Sequence, residues 1–172
     1  NVARRHLERH RRNSQASPQP VMSASFDHYD ANIAAGILAT HTQITGLPGY
    51  LGISADEIGP GRLVCSLDAR AELLNPFGSL HGGVVSALVD HVLGAVVYPL
   101  IPQGAWAATT EFKLNLLAAI STGTVTAVAE VVSLTRRTAV VRIDVSNLDR
   151  LVAIGQGTVL ITQPRTPEPE RD

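Results

Sequence analysis

One segment of the chain, Val84–Tyr98, is apolar nearly all round and is interrupted only by the polar side chains Ser86, Asp90 and His91. Its fifteen residues exceed the length of a typical strand, so the segment predicts a buried helix. Valine and glycine have low helix propensity, and the helix must therefore be held in place by packing. Because a helix buried on every side needs cover all round, this segment restricts the fold to one that encloses it.

The surrounding segments predict one further helix and a sheet. Asp30–Thr45 predicts a helix with Asp30 as its N-cap, and Gly46 and Pro48 are expected to end it. Apolar or alternating runs bounded by turn residues predict strands at Tyr50–Ile58, Arg62–Ala69, Ala105–Leu117, Gly123–Ser133, Thr138–Asn147 and Leu151–Thr162. Consecutive strands joined by short turns form a mainly antiparallel sheet, and one sheet wrapped on one apolar helix is an α+β fold. Such a sheet covers the far side of the helix only if it curls or if a second subunit supplies the cover.

The strand predicted at Ala105–Leu117 has two chemically different faces. Strict alternation places its polar residues on one face, namely Thr109, Glu111, Lys113 and Asn115. It places Thr110 on the other face with the apolar residues Phe112, Leu114 and Leu116. Trp106 begins this strand and is expected to pack or to lie at an interface edge, with the lining of a pocket as an alternative. In the last strand, Gly155 and Gly157 indicate a bulge or a close backbone approach.

Charge and composition place one folded domain between two polar tails. The length of 172 residues suits one domain, which is predicted over residues 30–162. Residues 1–29 and 163–172 are predicted to be disordered because they are rich in charged and turn-forming residues. The first twelve residues hold five arginines, so this arm either is an inert extension or contacts phosphates or an acidic partner. The formal net charge of −1 argues against a nucleic-acid partner for the chain as a whole.

Cysteine count and hydropathy exclude several classes of protein. Cys65 is the only cysteine, which rules out an intrachain disulfide framework and a cysteine-built metal site, and it is expected in the core. The longest apolar stretch, Leu80–Ile101, contains charged residues and a proline, unlike a membrane span. The N-terminus lacks the apolar core of a secretory signal. We therefore expect a cytoplasmic protein with no membrane partner.

His81, Gly82 and Gly83 precede the central helix and form a candidate anion site. The first N–H groups of a helix lack intrahelical partners and lie at the positive end of its dipole. Glycine also lets a ligand approach the backbone closely. The Gly82 and Gly83 amides therefore suit a carbonyl oxygen that becomes an oxyanion. A simple loop-to-helix junction with a capping role is the alternative.

Asp90 is the second candidate, because a carboxylate in an apolar helix is unfavourable unless it is paired or hydrogen-bonded. It is either a structural residue held by neighbouring amides or a nucleophile or general base. Asp90 follows Gly82 by eight residues, which is roughly 12 Å along a helix axis. A single carbonyl group cannot contact both residues in one chain. If they act together, they come from two symmetry-related subunits.

An ordered set of motifs runs through the predicted domain. Its members are Leu51-Gly52-Ile53, Leu73-Leu74-Asn75-Pro76 with Gly78, Leu80-His81-Gly82-Gly83, Asp90, Thr109, Asn115 and Ala127–Glu130. In this order and spacing, residues 46–162 resemble the hot-dog-fold acyl-CoA thioesterases, specifically the phenylacetate-degradation (PaaI-type) branch.

The resemblance implies a curved antiparallel sheet around a central helix, assembled as a homodimer or a homotetramer. It also implies hydrolysis of an acyl-CoA thioester to the free acid and CoA, with no metal or cofactor. Asp90 of one subunit would activate water or attack directly, and the Gly82 amide of the partner would hold the thioester oxygen. Asn75 would lie near that oxygen or the water, and His81 would shape the loop. Thr109 would stand beside Asp90 and position the water.

Three further expectations concern CoA. Related proteins often carry basic residues near the CoA phosphates where this chain has Arg136 and Arg137, although an exposed charged turn is equally consistent with the sequence. Gly83 is expected to contribute to the same binding. Ala118-Ala119 stands where the family often has Arg-Pro, which indicates a different CoA affinity or carrier preference. A non-catalytic module that binds acyl-CoA as an effector is the alternative function.

Overall fold

The computed structural model describes residues 26–40 and 45–162, and the predicted basic arm and C-terminal tail lie outside them. The helices are α1 at Ala31–Ala39, α2 at Gly46–Leu51 and α3 at Gly82–Ala95. The strands are β1 at Ser54–Gly59, β2 at Arg62–Asp68, β3 at Trp106–Leu116, β4 at Thr124–Leu134, β5 at Thr138–Asn147 and β6 at Arg150–Thr162. Short 3-10 turns lie at Ala71–Leu73 and Tyr98–Leu100.

The six strands form one antiparallel sheet in the order β1-β2-β4-β5-β6-β3, with α3 packed on one face. The α+β prediction of an antiparallel sheet on a central helix is confirmed, and this is the hot-dog arrangement that the resemblance implied. β3 precedes β4 in the chain but lies at the sheet edge beside β6. The connection from β2 to β3, which contains α3, therefore carries the chain from one side of the sheet to the opposite edge.

The core is aliphatic and is built on the inner face of α3. Its fully buried helix residues are Leu88, Val89, Val92 and Leu93. Cys65 lies in this core as predicted, and burial raises the pKa of its thiol to about 12, with the charge of Asp56 adding to the effect. By length and hydropathy alone, residues 82–100 could cross a membrane. The core helix of a globular fold satisfies the same criterion, and here that helix is packed on the sheet.

Glycines in β6 let both α3 and the edge strand β3 approach β6 closely. A Cβ atom on Gly157 would lie 2.6 Å from the Glu111 carbonyl oxygen and 2.8 Å from Leu93 Cδ2. A Cβ atom on Gly155 would lie 3.3 Å from the Lys113 carbonyl oxygen. The close backbone approach predicted at both positions is therefore confirmed, whereas no register shift falls at either glycine.

The predicted strand Tyr50–Ile58 is wrong in its first part, because α2 occupies Gly46–Leu51 and β1 begins only at Ser54. Pro48 is tolerated there because N–H groups in the first helical turn have no intrahelical acceptor. Gly52 ends α2 in the left-handed region at φ 73°. The Arg70 guanidinium donates to the Leu51 carbonyl at 2.9 Å and also to the Tyr50 carbonyl, so a distant side chain satisfies the end of this helix.

The prediction for α1 is confirmed at its start. Asp30 Oδ1 accepts hydrogen bonds from the backbone N–H groups of Asn32 at 2.8 Å and Ile33 at 3.2 Å. The helix ends at Ala39, and residues 41–44, over which the predicted helix continued, lie outside the described ones. Phe26 and Tyr29, assigned by sequence to the N-terminal segment, pack against the core.

Candidate active site

The loop before α3 fixes the orientation of Asn75. Its side-chain oxygen Oδ1 accepts hydrogen bonds from the backbone N–H groups of Phe77 at 2.9 Å and Ser79 at 3.2 Å. Both backbone groups are donors and need an acceptor, so the atom of the Asn75 amide that faces them is the oxygen and not the nitrogen. The Asn75 NH2 group lies on the other side and has no hydrogen-bond acceptor among the residues that the structure describes. It is therefore free to donate to a ligand.

Backbone contacts tie the ends of this loop to the fold. The His81 N–H donates to the Leu73 carbonyl at 3.0 Å, and the Leu80 N–H donates to the Ile120 carbonyl at 2.6 Å. Leu74 and Leu80 also form an isolated antiparallel bridge. The loop therefore enters α3 in a defined position.

His81 is the N-cap of α3, and it divides the two glycine amides between different tasks. Its Nδ1 atom accepts a hydrogen bond from the Gly83 N–H at 2.9 Å, so a neutral ring carries its proton on Nε2. The prediction that both amides face a ligand is corrected here, because the Gly83 N–H is already used. In the described chain the Gly82 N–H has no acceptor, and it lies at the positive end of the helix dipole.

Asn75 and Gly82 line a cavity of ≈ 380 Å³. Most of its other lining residues are apolar, namely Leu80, Val85, Leu116, Leu117, Ala118, Ala119, Ile120 and Val152. A Cβ atom on Gly82 would lie 2.9 Å from Leu116 Cδ1, so the wall packs closely on the helix start. Sequence analysis did not assign Leu116 and Leu117 to the site, although the neighbouring departure at Ala118-Ala119 marked the segment.

Asp90 and Thr109 line a second, more open cavity of ≈ 640 Å³. The remaining lining residues are Trp106, Ala107, Ala108, Thr110, Glu111 and Phe112. The expectation of a buried Asp90 is not met within one chain, because its side of α3 is exposed while the opposite side packs on the sheet. Trp106 lines this cavity at the sheet edge and is mostly exposed, so it does not pack within the chain, and its expected place at an interface stays a prediction.

A β-bulge turns Thr109 towards α3. In the β3–β6 register, Thr109 pairs with Val159 and Glu111 pairs with Thr158, which leaves Thr110 as the extra residue. Directly opposed residues point to the same face, and Val159 is fully buried on the helix side. Thr109 therefore faces α3, and the strict alternation that placed it beside Glu111 on the outer face is corrected.

The two cavities share no lining residue. The cavity with Asp90 borders the N-terminal half of β3, and the cavity with Gly82 borders the C-terminal end of β3 at Leu116. Each chain therefore carries two half-sites, one with amide donors and one with a carboxylate and a hydroxyl group. We call them the oxyanion half-site (Asn75 and Gly82) and the acid half-site (Asp90 and Thr109).

The remaining predicted residues lie elsewhere. Arg136 and Arg137 are in the β4–β5 turn, and Arg136 lines a cavity of ≈ 350 Å³ with Phe26 and Asp27 rather than either half-site. Asn115 is opposite Ile154 on the outer face of the sheet. The structure therefore brings together Asn75, Gly82 and His81 at one end of α3, with Asp90 and Thr109 farther along it.

Comparison with known proteins gives concordant results. Residues 77–154 match the sequence profile of the thioesterase superfamily. The putative esterase ComA2 of Bacillus subtilis is 33% identical over 113 residues, covering 64% of this chain and 90% of ComA2. A 1,4-dihydroxy-2-naphthoyl-CoA hydrolase of Listeria monocytogenes is 29% identical over 121 residues, covering 70% of this chain and 98% of that protein. The E. coli PaaI protein has the same fold, with a TM-score of 0.69 at 23% identity over 77% of this chain and 96% of PaaI.

Proposed function

We propose, since the chain belongs to the thioesterase superfamily, that it hydrolyses an acyl-CoA thioester to the free acid and CoA. The observation that carries this proposal is the pair of complementary half-sites. Thioester hydrolysis needs donors for a developing oxyanion and a base or nucleophile for the carbonyl carbon. Gly82 and Asn75 supply the first requirement, and Asp90 supplies the second. A relative named as a CoA-thioester hydrolase supports CoA as the leaving group.

In the oxyanion half-site, the thioester oxygen accepts hydrogen bonds from the Gly82 N–H and the Asn75 NH2 group. Both donors are held before substrate arrives, the first by the helix and the second by the Asn75 turn. Preorganised donors stabilise the tetrahedral intermediate without reorganisation, and losing one commonly lowers kcat by about 10²–10³-fold. His81 is a positioning residue, because it caps the helix start that presents Gly82.

In the acid half-site, Asp90 removes a proton from water as the water oxygen bonds to the carbonyl carbon. The C–S bond then breaks, and the CoA thiolate takes up a proton. Direct attack by the Asp90 carboxylate, followed by hydrolysis of the anhydride, gives the same products. In either route the Thr109 hydroxyl lies on the same side of β3 as the carboxylate and orients the water.

The two half-sites of one chain cannot serve one thioester, because Asp90 lies about 12 Å along α3 from Gly82. A two-fold related copy resolves this distance by placing its oxyanion half-site beside the acid half-site of the first chain. The proposed unit is therefore a homodimer, alone or as half of a homotetramer. The same partner covers the exposed side of α3.

Thiol release from a panel of aryl- and fatty-acyl-CoAs tests the reaction. Asp90→Asn should lower kcat by at least about 10²-fold, the usual scale for losing general base catalysis. Asp149→Asn is the matched control, since Asp149 is exposed in the β5–β6 turn and its positive φ of 61° suits asparagine. Unchanged turnover in Asp90→Asn would contradict the assignment. Binding of acyl-CoA by the wild type without thiol release would favour the effector-binding module.

Mixed assemblies test the sharing of the site. Asn75→Asp keeps the oxygen that holds the turn but removes the NH2 donor. Dimers that combine Asp90→Asn with Asn75→Asp contain one intact site, so random mixing should restore about a quarter of wild-type activity. Mixing Asp90→Asn with the double variant cannot form an intact site and is the control. No recovery in the first mixture would contradict a site shared between subunits.

A further inference from the structure

Arg150 places a guanidinium group beside the oxyanion half-site. It begins β6 directly after Leu148 and Asp149, whose positive φ values of 51° and 61° are typical of a two-residue type I′ hairpin turn. Arg150 Nη2 donates a hydrogen bond to the Ala119 carbonyl at 2.9 Å. Ala119 lines the cavity of the oxyanion half-site and is itself exposed, so the guanidinium group lies at the rim of that cavity.

A tethering role alone does not account for this arginine, because other bonds already hold the segment that contains Ala119. The Leu117 N–H donates to the Val152 carbonyl at 2.8 Å. Asn147 Nδ2 donates to the Thr122 carbonyl at 3.0 Å. A guanidinium group carries five N–H donors, and in the described chain only the bond to Ala119 uses one of them. The other donors are available to a ligand, because the arginine is exposed.

The charge of Arg150 is not balanced by an ion pair with any residue in the described ranges. Three other arginines form ion pairs of 2.6–2.8 Å with carboxylates, namely Arg62 with Glu57, Arg70 with Glu72 and Arg142 with Asp144. A guanidinium group binds a phosphate through two parallel hydrogen bonds, which its planar fork presents in the right geometry. An unpaired arginine at the rim of a cavity therefore suits an anionic group of a ligand.

The ligand of this cavity then identifies the anion, a step that rests on the proposed function. Gly82 and Asn75 hold the thioester oxygen under that proposal, and the sulfur atom is bonded to the same carbon. The CoA chain, which ends in a diphosphate and a ribose phosphate, therefore leaves from this half-site. The lining of the cavity itself contains no cation, and Ala118-Ala119 stands where related proteins often have Arg-Pro.

We infer that the Arg150 guanidinium binds a phosphate group of CoA at the rim of the oxyanion half-site, while its Nη2 group stays on the Ala119 carbonyl. The bond to the carbonyl orients the guanidinium before the ligand arrives, which reduces the side-chain entropy lost on binding. The phosphate is remote from the reacting carbon, so the contact has the same strength in the ground state and the transition state. Its loss should therefore raise KM and leave kcat unchanged.

Titration with CoA alone tests the contact without turnover. Arg150→Gln keeps an amide donor for the Ala119 carbonyl but removes the charge, and it should raise the dissociation constant of CoA by about tenfold or more. Arg62→Gln is the matched control, because it removes the same charge from β2 and lines neither half-site. CoA affinity should stay at the wild-type value in that control. Wild-type affinity in Arg150→Gln would overturn the proposal.

Two substrates with the same uncharged acyl group identify the part of the substrate that Arg150 contacts. Arg150→Gln should raise KM for the acyl-CoA by about tenfold and keep kcat within about twofold of the wild type. An S-acyl-pantetheine lacks the phosphates, so kcat/KM for this substrate should be the same in the variant and the wild type. Equal losses with both substrates would overturn the phosphate contact, because they would show a disturbed loop or a contact to another part of the substrate.

The titration separates this inference from the proposed reaction. If thiol release depends on Asp90 while Arg150→Gln binds CoA like the wild type, the proposed function stands and the phosphate contact is wrong. If Arg150→Gln weakens CoA binding in a protein that releases no thiol, the contact stands and the proposed hydrolysis is wrong.

Discussion

The Asn75 side chain has separate tasks for its two ends. The oxygen holds the turn through two backbone N–H groups, and the NH2 group lies beside the cavity with Gly82. A residue that serves the fold and, as proposed here, also the reaction is usually difficult to dissect by mutation. Here aspartate keeps the acceptor and loses only the donor, so the two tasks separate.

We expect Asn75→Asp to retain a thermal midpoint close to that of the wild type while kcat falls by about 10²-fold or more. Asn75→Ala should lower both, because the turn loses its acceptor as well, at about 1 kcal/mol or more of stability. Thermal unfolding and thiol release on the same preparations measure the two effects. An Asn75→Asp protein with near wild-type turnover would exclude the NH2 group as an oxyanion donor.

Gly82 and Asp90 are residues that sequence reasoning could find without a structure. A glycine pair at the start of a helix and a lone carboxylate in an apolar segment are local signals, visible over a few residues. The direction in which Thr109 points is not local. It depends on a bulge whose position is set against β6, some fifty residues later in the chain.

At the level of elements, the bulge in β3 decides which side chain stands beside Asp90. Bulges are frequent next to active sites because one extra residue redirects the side chains on one side of it. Thr110 is that residue, and its hydroxyl donates to the Thr158 carbonyl at 2.9 Å. The alternation of apolar and polar residues in the sequence of β3 is therefore interrupted in the structure at Thr110.

Replacing Thr109 tests the hydroxyl group that the bulge turns towards α3. Thr109→Val keeps the branched shape of the side chain but removes the hydroxyl group, and we expect kcat to fall by about tenfold or more, with the pH profile retained because Asp90 is unchanged. Thr110→Ala removes the neighbouring hydroxyl group and should stay near wild-type activity. Normal turnover in Thr109→Val would show that Thr109 has no positioning role.

The same pair of strands explains two glycines whose substitution should have unequal effects. Gly157→Ala would place Cβ 2.6 Å from the Glu111 carbonyl oxygen, whereas Gly155→Ala would place it 3.3 Å from that of Lys113. Overpacking against backbone typically costs about 1–3 kcal/mol. We therefore expect Gly157→Ala to lower the free energy of unfolding substantially more than Gly155→Ala, as denaturant titration would measure. Equal effects would contradict a close contact at Gly157.

Helix α2 shows why one element was predicted wrongly. Tyr50 and Leu51 precede a glycine and an alternating segment, which is a local strand pattern. The carbonyl groups at the end of this helix are satisfied by Arg70, which lies about twenty residues later in the chain. Because Arg70 is so far along the chain, the sequence around Tyr50 and Leu51 gives no indication of these hydrogen bonds.

At the level of the whole molecule, the sequence predicted the α+β architecture because its patterns are local. The apolar central segment indicates a buried helix, and the alternating segments indicate strands with one buried face. The sequence also predicted cover around the entire central helix. One chain supplies only part of that cover and leaves Asp90 exposed. Under the proposed function a second copy supplies the missing cover, and nothing in the sequence pattern of a single chain states where that copy binds.

The pH dependence of unfolding should reveal the partly covered helix. Burial lowers the pKa of His91 below its ordinary value, and the neighbouring Asp90 carboxylate opposes that effect. The unfolded chain therefore binds a proton more readily as the pH falls through about 6.5, so the contribution of His91 to stability decreases towards acid pH. We expect His91→Gln to flatten the decline in unfolding free energy between pH 7 and about 5. Identical slopes for both proteins would contradict a histidine whose pKa is lowered by burial.

The separation of the half-sites along β3 also has a consequence for the life of the chain in a cell. Under the proposed mechanism, a newly made copy folds with no complete site and leaves thioesters intact. Hydrolysis begins only when a second copy arrives, so its onset follows the square of the folded-chain concentration at low abundance. Thioester hydrolysis would then rise steeply once expression passes the concentration at which copies associate, and dilution at cell division would lower it.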